Sequence, residues 1–293
     1  MKLALIFTGG TISGEVKNNS VSPSQKTKSI LTEALDKDIS VESFQPYYIL
    51  SEQLDGEYLT KLISCIGKRL AENFDGIIIT HGTDTLQYSA AAAAIAFGKS
   101  KIPVVFVSSN YILSDSRSNG LSNFKYAVKF IKEKIGGVFV SYKNENHPEI
   151  FLADSLLSHS PYSDKLTSVS PVFGYFENDS FKRTLFNYQK RNEGIFTLTK
   201  KSHVLWIKAY PGMEIPNTDG YKAVLIESYH SGTLPTADAE FIDFCKNSSV
   251  PIYICGVSGE IEYESMKVYE QLNVVVLKRV SPIYAYISLW KDL

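Results

Sequence analysis

Three short apolar runs, Leu3–Phe7, Gly76–Thr80 and Pro103–Val107, each stop at a turn built from glycine, serine or threonine. An unbroken apolar run of about five residues reads as a strand buried on both faces, the usual state inside a parallel sheet. The intervening segments are longer and mixed. Leu86–Phe97 is alanine-rich and Asn119–Lys134 is periodic, so both read as helices, and Gly137–Tyr142 reads as the next strand. Strand, loop and helix in repetition imply a parallel sheet covered by helices. Ligands of such sheets bind beyond the carboxyl ends of the strands.

A second alternating series begins near residue 200. His203–Lys208, Ala223–Glu227, Ile252–Val257 and Val274–Leu277 read as strands, and Thr236–Asn247 as a helix. Ser281–Trp290 reads as a final helix, opened by a serine with proline at the first helical position. The expectation is an α/β protein with two parts. A larger N-terminal parallel-sheet domain with flanking helices occupies 1–178, a linker 179–200, and a smaller C-terminal α/β domain 201–293.

Charge removes one class of partner. With 30 Lys and Arg against 31 Asp and Glu, the formal net charge is -1, whereas a nucleic-acid binder needs a basic excess to neutralise phosphates. Cys65, Cys245 and Cys255 are odd in number, scattered and without a C-x-x-C pair, which argues for a reducing compartment and against a cysteine zinc site. His81, His147, His159, His203 and His230 form no metal-ligand spacing, and no G-x-S-x-G elbow occurs. The longest weakly polar stretch, Ala90–Phe97, falls far short of the ~20 residues of a membrane helix. The apolar start Met1–Phe7 is too short for a signal peptide. The expectation is a cytoplasmic, soluble protein with no membrane partner.

Two strand ends carry chemistry. Thr8-Gly9-Gly10-Thr11-Ile12 turns sharply on adjacent glycines and presents a hydroxyl and a backbone N–H at the mouth of the sheet. Its plainer alternative is a capping threonine. Thr80-His81-Gly82-Thr83-Asp84-Thr85 sets hydroxyls and a carboxylate between a buried strand and a buried helix. Asp84 can accept an ammonium, and Thr83 can donate to a carboxylate or activate water. Here too the alternative is a helix N-cap. His81 reads as a structural hydrogen bonder at this turn.

Together, the two segments resemble the paired signatures of bacterial-type asparaginases and glutaminases. Ser51-Glu52-Gln53-Leu54 resembles that family's substrate loop, Ser118–Asn123 its Ala-Asp-Gly-x-x-Asn segment, and Tyr210-Pro211-Gly212 the turn that opens its smaller domain. The resemblance implies that Thr11 is a nucleophile that attacks a side-chain amide and forms an acyl-enzyme ester. It implies a second constellation of Thr83, Asp84 and Lys165, the lysine following the strand expected at Ile150–Ala153. Ser51, Glu52 and Asp84 would hold the substrate's charged groups, and Ser109 would face the scissile amide. The substrate is a small amino-acid amide, with L-asparagine giving L-aspartate and ammonia. No metal and no cofactor are implied, and the assembly is a homodimer or homotetramer.

Physical chemistry supports such a set. A threonine hydroxyl is a poor nucleophile without a base or electrostatic aid. A desolvated lysine can move protons, and backbone N–H groups at strand ends can stabilise an oxyanion. The sequence also departs from the family's pattern. The loop from Gly14 to Ser24 lacks the usual tyrosine, for which Ser22, Ser24 or a tyrosine from elsewhere could substitute; its composition suits a flexible lid. Glu52 replaces a commoner glutamine or serine, Val107-Ser108-Ser109-Asn110-Tyr111 replaces a Gly-Ala/Ser turn, and His230-Ser231-Gly232-Thr233 stands where a Gly-x-Gly-Asn turn is usual. The alternatives are a glutaminase or other amidase, an ammonia-supplying component of an amidotransferase, and a non-catalytic amino-acid binder. Against the amidotransferase component stand the lack of an evident extra N-terminal domain and of a basic excess.

Overall fold

Strand β1 (Lys2–Phe7) is the hinge of the topology, because the chain leaves it in one direction and returns past it in the other. In the computed structural model, residues 1–17, 20–23, 26–145, 147–259 and 263–293 are described, with backbone alone for 15–17, 20–23, 26 and 27. A 3₁₀ turn, Thr11–Ser13, follows β1, and then the antiparallel hairpin β2 (Gly14–Lys17) and β3 (Ser20–Pro23). Helix α1 (Lys26–Glu33) leads to β4 (Ser40–Phe44). Then come α2 (Gly56–Leu70), β5 (Gly76–Thr80), α3 (Leu86–Phe97), β6 (Pro103–Val107) and α4 (Gly120–Lys132). Four strands complete the unit: β7 (Gly137–Asn144), β8 (His147–Leu152), β9 (Gly174–Glu177) and β10 (Ser180–Arg183).

All of these strands except the hairpin pair β2 and β3 form one eight-stranded sheet in the order β10-β9-β8-β7-β6-β5-β1-β4. From β4 to β7 neighbouring strands are parallel, and from β7 to β10 they are antiparallel. β1 lies between β4 and β5, so consecutive crossovers run to opposite sides of it. The carboxyl ends of β1 and β5 therefore flank a topological switch point, where a crevice opens in folds of this kind.

The central parallel strands β1, β5 and β6 are buried on both faces, as their unbroken apolar runs require: Leu3, Leu5, Ile77–Ile79 and Val104–Val107 are all inaccessible. On one face Phe124, Ala127, Phe130 and Ile131 of α4 pack against Leu5, Ile78 and Val105. Helix α3 is buried on almost every side, which its alanines permit by filling little space. Asp55 caps α2, its carboxylate accepting the N–H groups of Glu57 and Tyr58 at 3.0 and 3.1 Å.

The chain divides into two compact units, Met1–Lys200 and Lys201–Leu293. The segment 179–200, read from sequence as a linker, is part of the first unit. Its β10 pairs with β9, and its Leu185 and Tyr188 pack on the first unit's core. Its charge had masked those apolar anchors.

The second unit is a parallel four-stranded sheet in the order β11 (Val204–Lys208), β12 (Ala223–Glu227), β13 (Ile252–Val257), β14 (Val274–Lys278). Helix α5 (Ala239–Asn247) follows β12, the short α6 (Glu264–Lys267) follows β13, and α7 (Pro282–Asp292) closes the chain. Val224, Ile226 and Ile254 face a core with Phe241 of α5. Leu225 and Cys255 face the other side, against Ala285 and Leu289 of α7. No helix among the described residues is long and apolar enough to cross a membrane.

Candidate active site

The two signature turns meet backbone to backbone. Gly9 and Gly10 follow β1 with φ of 104° and 76°, a region that side chains disfavour. A methyl on Gly9 would lie 2.1 Å from the Ile49 carbonyl oxygen, and one on Gly10 would lie 2.2 Å from the Gly82 Cα. Both glycines are thus required by conformation and by space.

Hydrogen bonds lace three chain segments at this point. The Thr8 hydroxyl donates to the Thr80 carbonyl at 2.8 Å. The Gly10 N–H donates to the Ile49 carbonyl at 3.0 Å, and the Ile49 N–H to the Thr8 carbonyl at 3.1 Å. Thr11 then opens the 3₁₀ turn and is half-buried. Tyr48 donates its hydroxyl to the Ser13 carbonyl at 2.7 Å and so holds that turn from the β4 side.

The second turn is not an N-cap in the usual sense. The capping position of α3 is Thr85, and its hydroxyl donates instead to the Ser51 carbonyl at 2.8 Å. Thr83 and Asp84 precede it. The Thr83 hydroxyl donates to the Ser109 carbonyl at 2.9 Å, which leaves its lone pairs to accept a further hydrogen bond. Asp84 is exposed, and its Oδ2 lies 3.5 Å from the hydroxyl of the buried Ser51, at the outer limit of a hydrogen bond. Glu52 beside it is exposed.

Beneath the turn, His81 is buried and bonded at both nitrogens. Nδ1 lies 2.9 Å from the Gly82 carbonyl and Nε2 2.7 Å from the Ser89 hydroxyl. A donor at Nδ1 and an acceptor at Nε2 describe a neutral ring. Burial pushes its pKa down to about 4, and the bond to Gly82 only partly offsets this. His81 is a structural member of the site, as its place in the motif suggests.

Ser109 is buried at the end of β6. Its hydroxyl contacts the Tyr111 carbonyl and the Ser118 hydroxyl, the latter at 2.7 Å. Asparagines fasten this end to its neighbours. Asn110 and Asn119 exchange backbone N–H for side-chain carbonyl in both directions, at 3.1 and 3.0 Å. Asn123 donates to the Ser108 carbonyl at 2.9 Å and accepts from the Lys143 N–H at 2.7 Å. Gly120 is needed here, because a methyl on it would meet Ser109 Oγ at 2.6 Å.

Thr11, Ser51, Thr83, Asp84 and Ser109 thus belong to one laced set of strand ends. Lys165 does not join it. Its side chain is exposed, its N–H donates to the Ser163 hydroxyl at 3.2 Å, and among the described residues no hydrogen bond or ion pair links it to Thr83 or Asp84. Two neighbours did not stand out in the sequence. Tyr48 carries no motif, and Asp164 is the residue whose Oδ2 accepts from Asn110 Nδ2 at 3.3 Å. Of the loop after Gly14, Ser24 lies outside the described residues and Ser22 is described by its backbone alone.

Comparison with known proteins follows the same lines. The family model described as asparaginase, N-terminal matches residues 2–169. The D subunit of the glutamyl-tRNA(Gln) amidotransferase of Metallosphaera sedula is 25% identical, over 98% of this chain and 71% of that protein. Its counterpart in Methanococcus maripaludis is 25% identical over 96% of this chain and 71% of its own length. The thermostable L-asparaginase from Thermococcus kodakarensis superposes with a TM-score of 0.79 at 20% identity, covering 100% of this chain and 94% of that one. The probable cytoplasmic L-asparaginase from Campylobacter jejuni does so with a TM-score of 0.75 at 21% identity, covering 99% and 94%. At that identity the likeness is one of fold.

Proposed function

Because the chain belongs to the asparaginase family of amidohydrolases, we propose that it hydrolyses L-asparagine to L-aspartate and ammonia, with Thr11 as nucleophile. The observation that carries this reading is the meeting of the Thr11 and Thr83 turns through Gly10 and Gly82. It sets two hydroxyls and the Asp84 carboxylate at the switch point of the sheet.

In this reading Thr11 Oγ attacks the side-chain amide carbon. Backbone N–H groups of the two turns stabilise the oxyanion. The C–N bond breaks as the threonine's proton passes to the nitrogen, which leaves as ammonia. Water then cleaves the ester, returning the proton to Thr11. Thr83, with its hydrogen committed to Ser109, accepts rather than donates within the site. Asp84 binds the α-ammonium, with Ser51 beside it for the α-carboxylate. Glu52 disfavours a second carboxylate at the same end by like-charge repulsion.

The test is ammonia release by the purified protein from L-asparagine, L-glutamine and D-asparagine, with Thr11→Ala and Lys165→Ala alongside. Release from L-asparagine that Thr11→Ala abolishes supports the reading. Saturable binding without release from any of the three amides sinks it. The relatives from Metallosphaera sedula and Methanococcus maripaludis favour a second reading, in which the ammonia serves amidation of glutamyl-tRNA(Gln). Release that appears only with glutamyl-tRNA(Gln) and a partner protein present would select it.

A further inference from the structure

The contacts of the His81 ring fix where its protons lie. His81 is buried beneath the second turn, its N–H donating to the Val107 carbonyl at 2.9 Å and its ring centroid 6.3 Å from that of Phe106 on β6. A carbonyl only accepts, so Nδ1, 2.9 Å from the Gly82 oxygen, carries the hydrogen. In a neutral ring Nε2 is then the acceptor, and the Ser89 hydroxyl 2.7 Å away is its donor. Ser89 is itself inaccessible, on α3. A helical serine often bonds back to a carbonyl of its own helix, whereas this one reaches the imidazole.

These contacts set the Gly82–Thr83 peptide. A trans peptide is planar, with its C=O and N–H on opposite sides, and among the described residues no peptide is cis. Because the Gly82 carbonyl is turned inward to the His81 ring, the Thr83 N–H is turned away from it. That N–H meets no backbone acceptor among the described residues, while the Thr83 hydroxyl is held on the Ser109 carbonyl at 2.9 Å. The same peptide borders the Thr11 turn, since a methyl on Gly10 would lie 2.2 Å from the Gly82 Cα.

We propose that Ser89 and His81 are positioning residues for the Thr83 N–H: Ser89 orients the imidazole, the imidazole holds the Gly82 carbonyl inward, and the N–H across that peptide is thereby aimed at the oxyanion. This rests on the reading of the two turns as an amide-hydrolysing site and names the groups that aim one of its backbone donors. Neither side chain touches the reacting atoms. The effect falls on the bond-breaking step, because a fixed donor is worth most where charge develops in the transition state.

Two measurements test it. The first is the nitrogen NMR spectrum of the His81 imidazole, identified by its loss in His81→Asn. Nδ1 is expected to be protonated and Nε2 bare, with the Nε2 resonance displaced in Ser89→Ala and restored in Ser89→Thr. A ring protonated at Nε2, or an Nε2 resonance unmoved in Ser89→Ala, overturns the chain of contacts whether or not any amide is hydrolysed. The second is steady-state hydrolysis of L-asparagine. Ser89→Ala is expected to lower kcat about tenfold or more with little change in KM, and Ser89→Thr, which keeps the hydroxyl, to restore it. His81→Asn, whose amide N–H can take the place of Nδ1–H, is expected to keep more turnover than His81→Leu, and this pair decides the matter if Ser89→Ala does not fold. Equal kcat losses within each pair, or a change in KM alone, refute the proposal. Absence of hydrolysis by the parent protein refutes the amidohydrolase reading and with it the aim of the N–H at an oxyanion, while the imidazole spectrum still decides the contacts of Ser89 and His81.

Discussion

Gly10 and Gly82, one on each signature turn, approach so closely that a methyl on the first would sit 2.2 Å from the Cα of the second. The reverse substitution meets something different. A methyl on Gly82 collides first with the Ser51 side chain, at 2.4 Å from Oγ, and only then with Gly10 at 3.1 Å. Gly10 also has a φ of 76°, a strain of about 1 kcal/mol or more for any other residue. Gly10→Ala is therefore expected to lower stability by several kcal/mol, on the order of the largest single-site losses. Gly82→Ala is expected to fold, displace Ser51 and weaken ligand binding. Chemical denaturation and calorimetric titration of both variants check this, and equal stability losses would contradict it.

Thr83 gives a narrower prediction. Thr83→Val keeps the shape but removes the donor to the Ser109 carbonyl and the acceptor facing the site. The stability cost is about 1 kcal/mol, that of one hydrogen bond. The effect on turnover is expected to be much larger, at least about a hundredfold if the hydroxyl takes part in proton movement. Steady-state kinetics beside thermal unfolding separates the two, and a turnover loss no greater than the stability loss explains would rule out a chemical role.

Much of this arrangement is legible in the residues because backbone geometry leaves few options. Gly76–Thr80, Leu86–Phe97, Pro103–Val107 and Ala223–Glu227 are found as read, since runs that are mostly apolar and buried along nearly their whole length stand out from the polar turns around them. The half-buried elements escape. Ser40–Phe44 at the sheet edge mixes exposed and covered residues without strict alternation, and Gly56–Leu70 begins with a glycine and is polar on one face. The hairpin Gly14–Pro23 reads as a loop because its strands are short and polar. Within the site, the turns announce themselves through paired glycines and threonines, whereas Tyr48 reaches it through space. No local spacing encodes a phenol bonded to a carbonyl 35 residues earlier in the chain.

Tyr48 can be tested directly. Its hydroxyl is the tether of the Thr11–Ser13 turn at Ser13. Tyr48→Phe is expected to cost about 1 kcal/mol of stability and to reduce kcat more than KM, because a looser turn misplaces the nucleophile without touching the ammonium pocket. A rise in KM with kcat unchanged would show that Tyr48 serves binding instead.

Two buried groups set opposite pH slopes on stability. In the unfolded chain an imidazole titrates near about 6.5, while burial holds His81 at about 4 in the folded protein. Between those values the unfolded state carries the extra proton, so this contribution is complete above the unfolded pKa and lost as pH falls toward 4. The loss is about 3 kcal/mol. Asp154 behaves in reverse. Burial raises its pKa to about 6, against about 3.9 unfolded, so the folded state holds the extra proton. Its contribution is complete at the acid end and lost, by about 3 kcal/mol, as pH rises toward 6. The two nearly cancel between about pH 4 and 6. Urea unfolding across that window should therefore give Asp154→Asn a stability that falls more steeply with acidification than that of the parent. His81→Gln should shift the slope the opposite way. Parallel curves for the parent and both variants would mean that neither group titrates differently in the folded and unfolded chains.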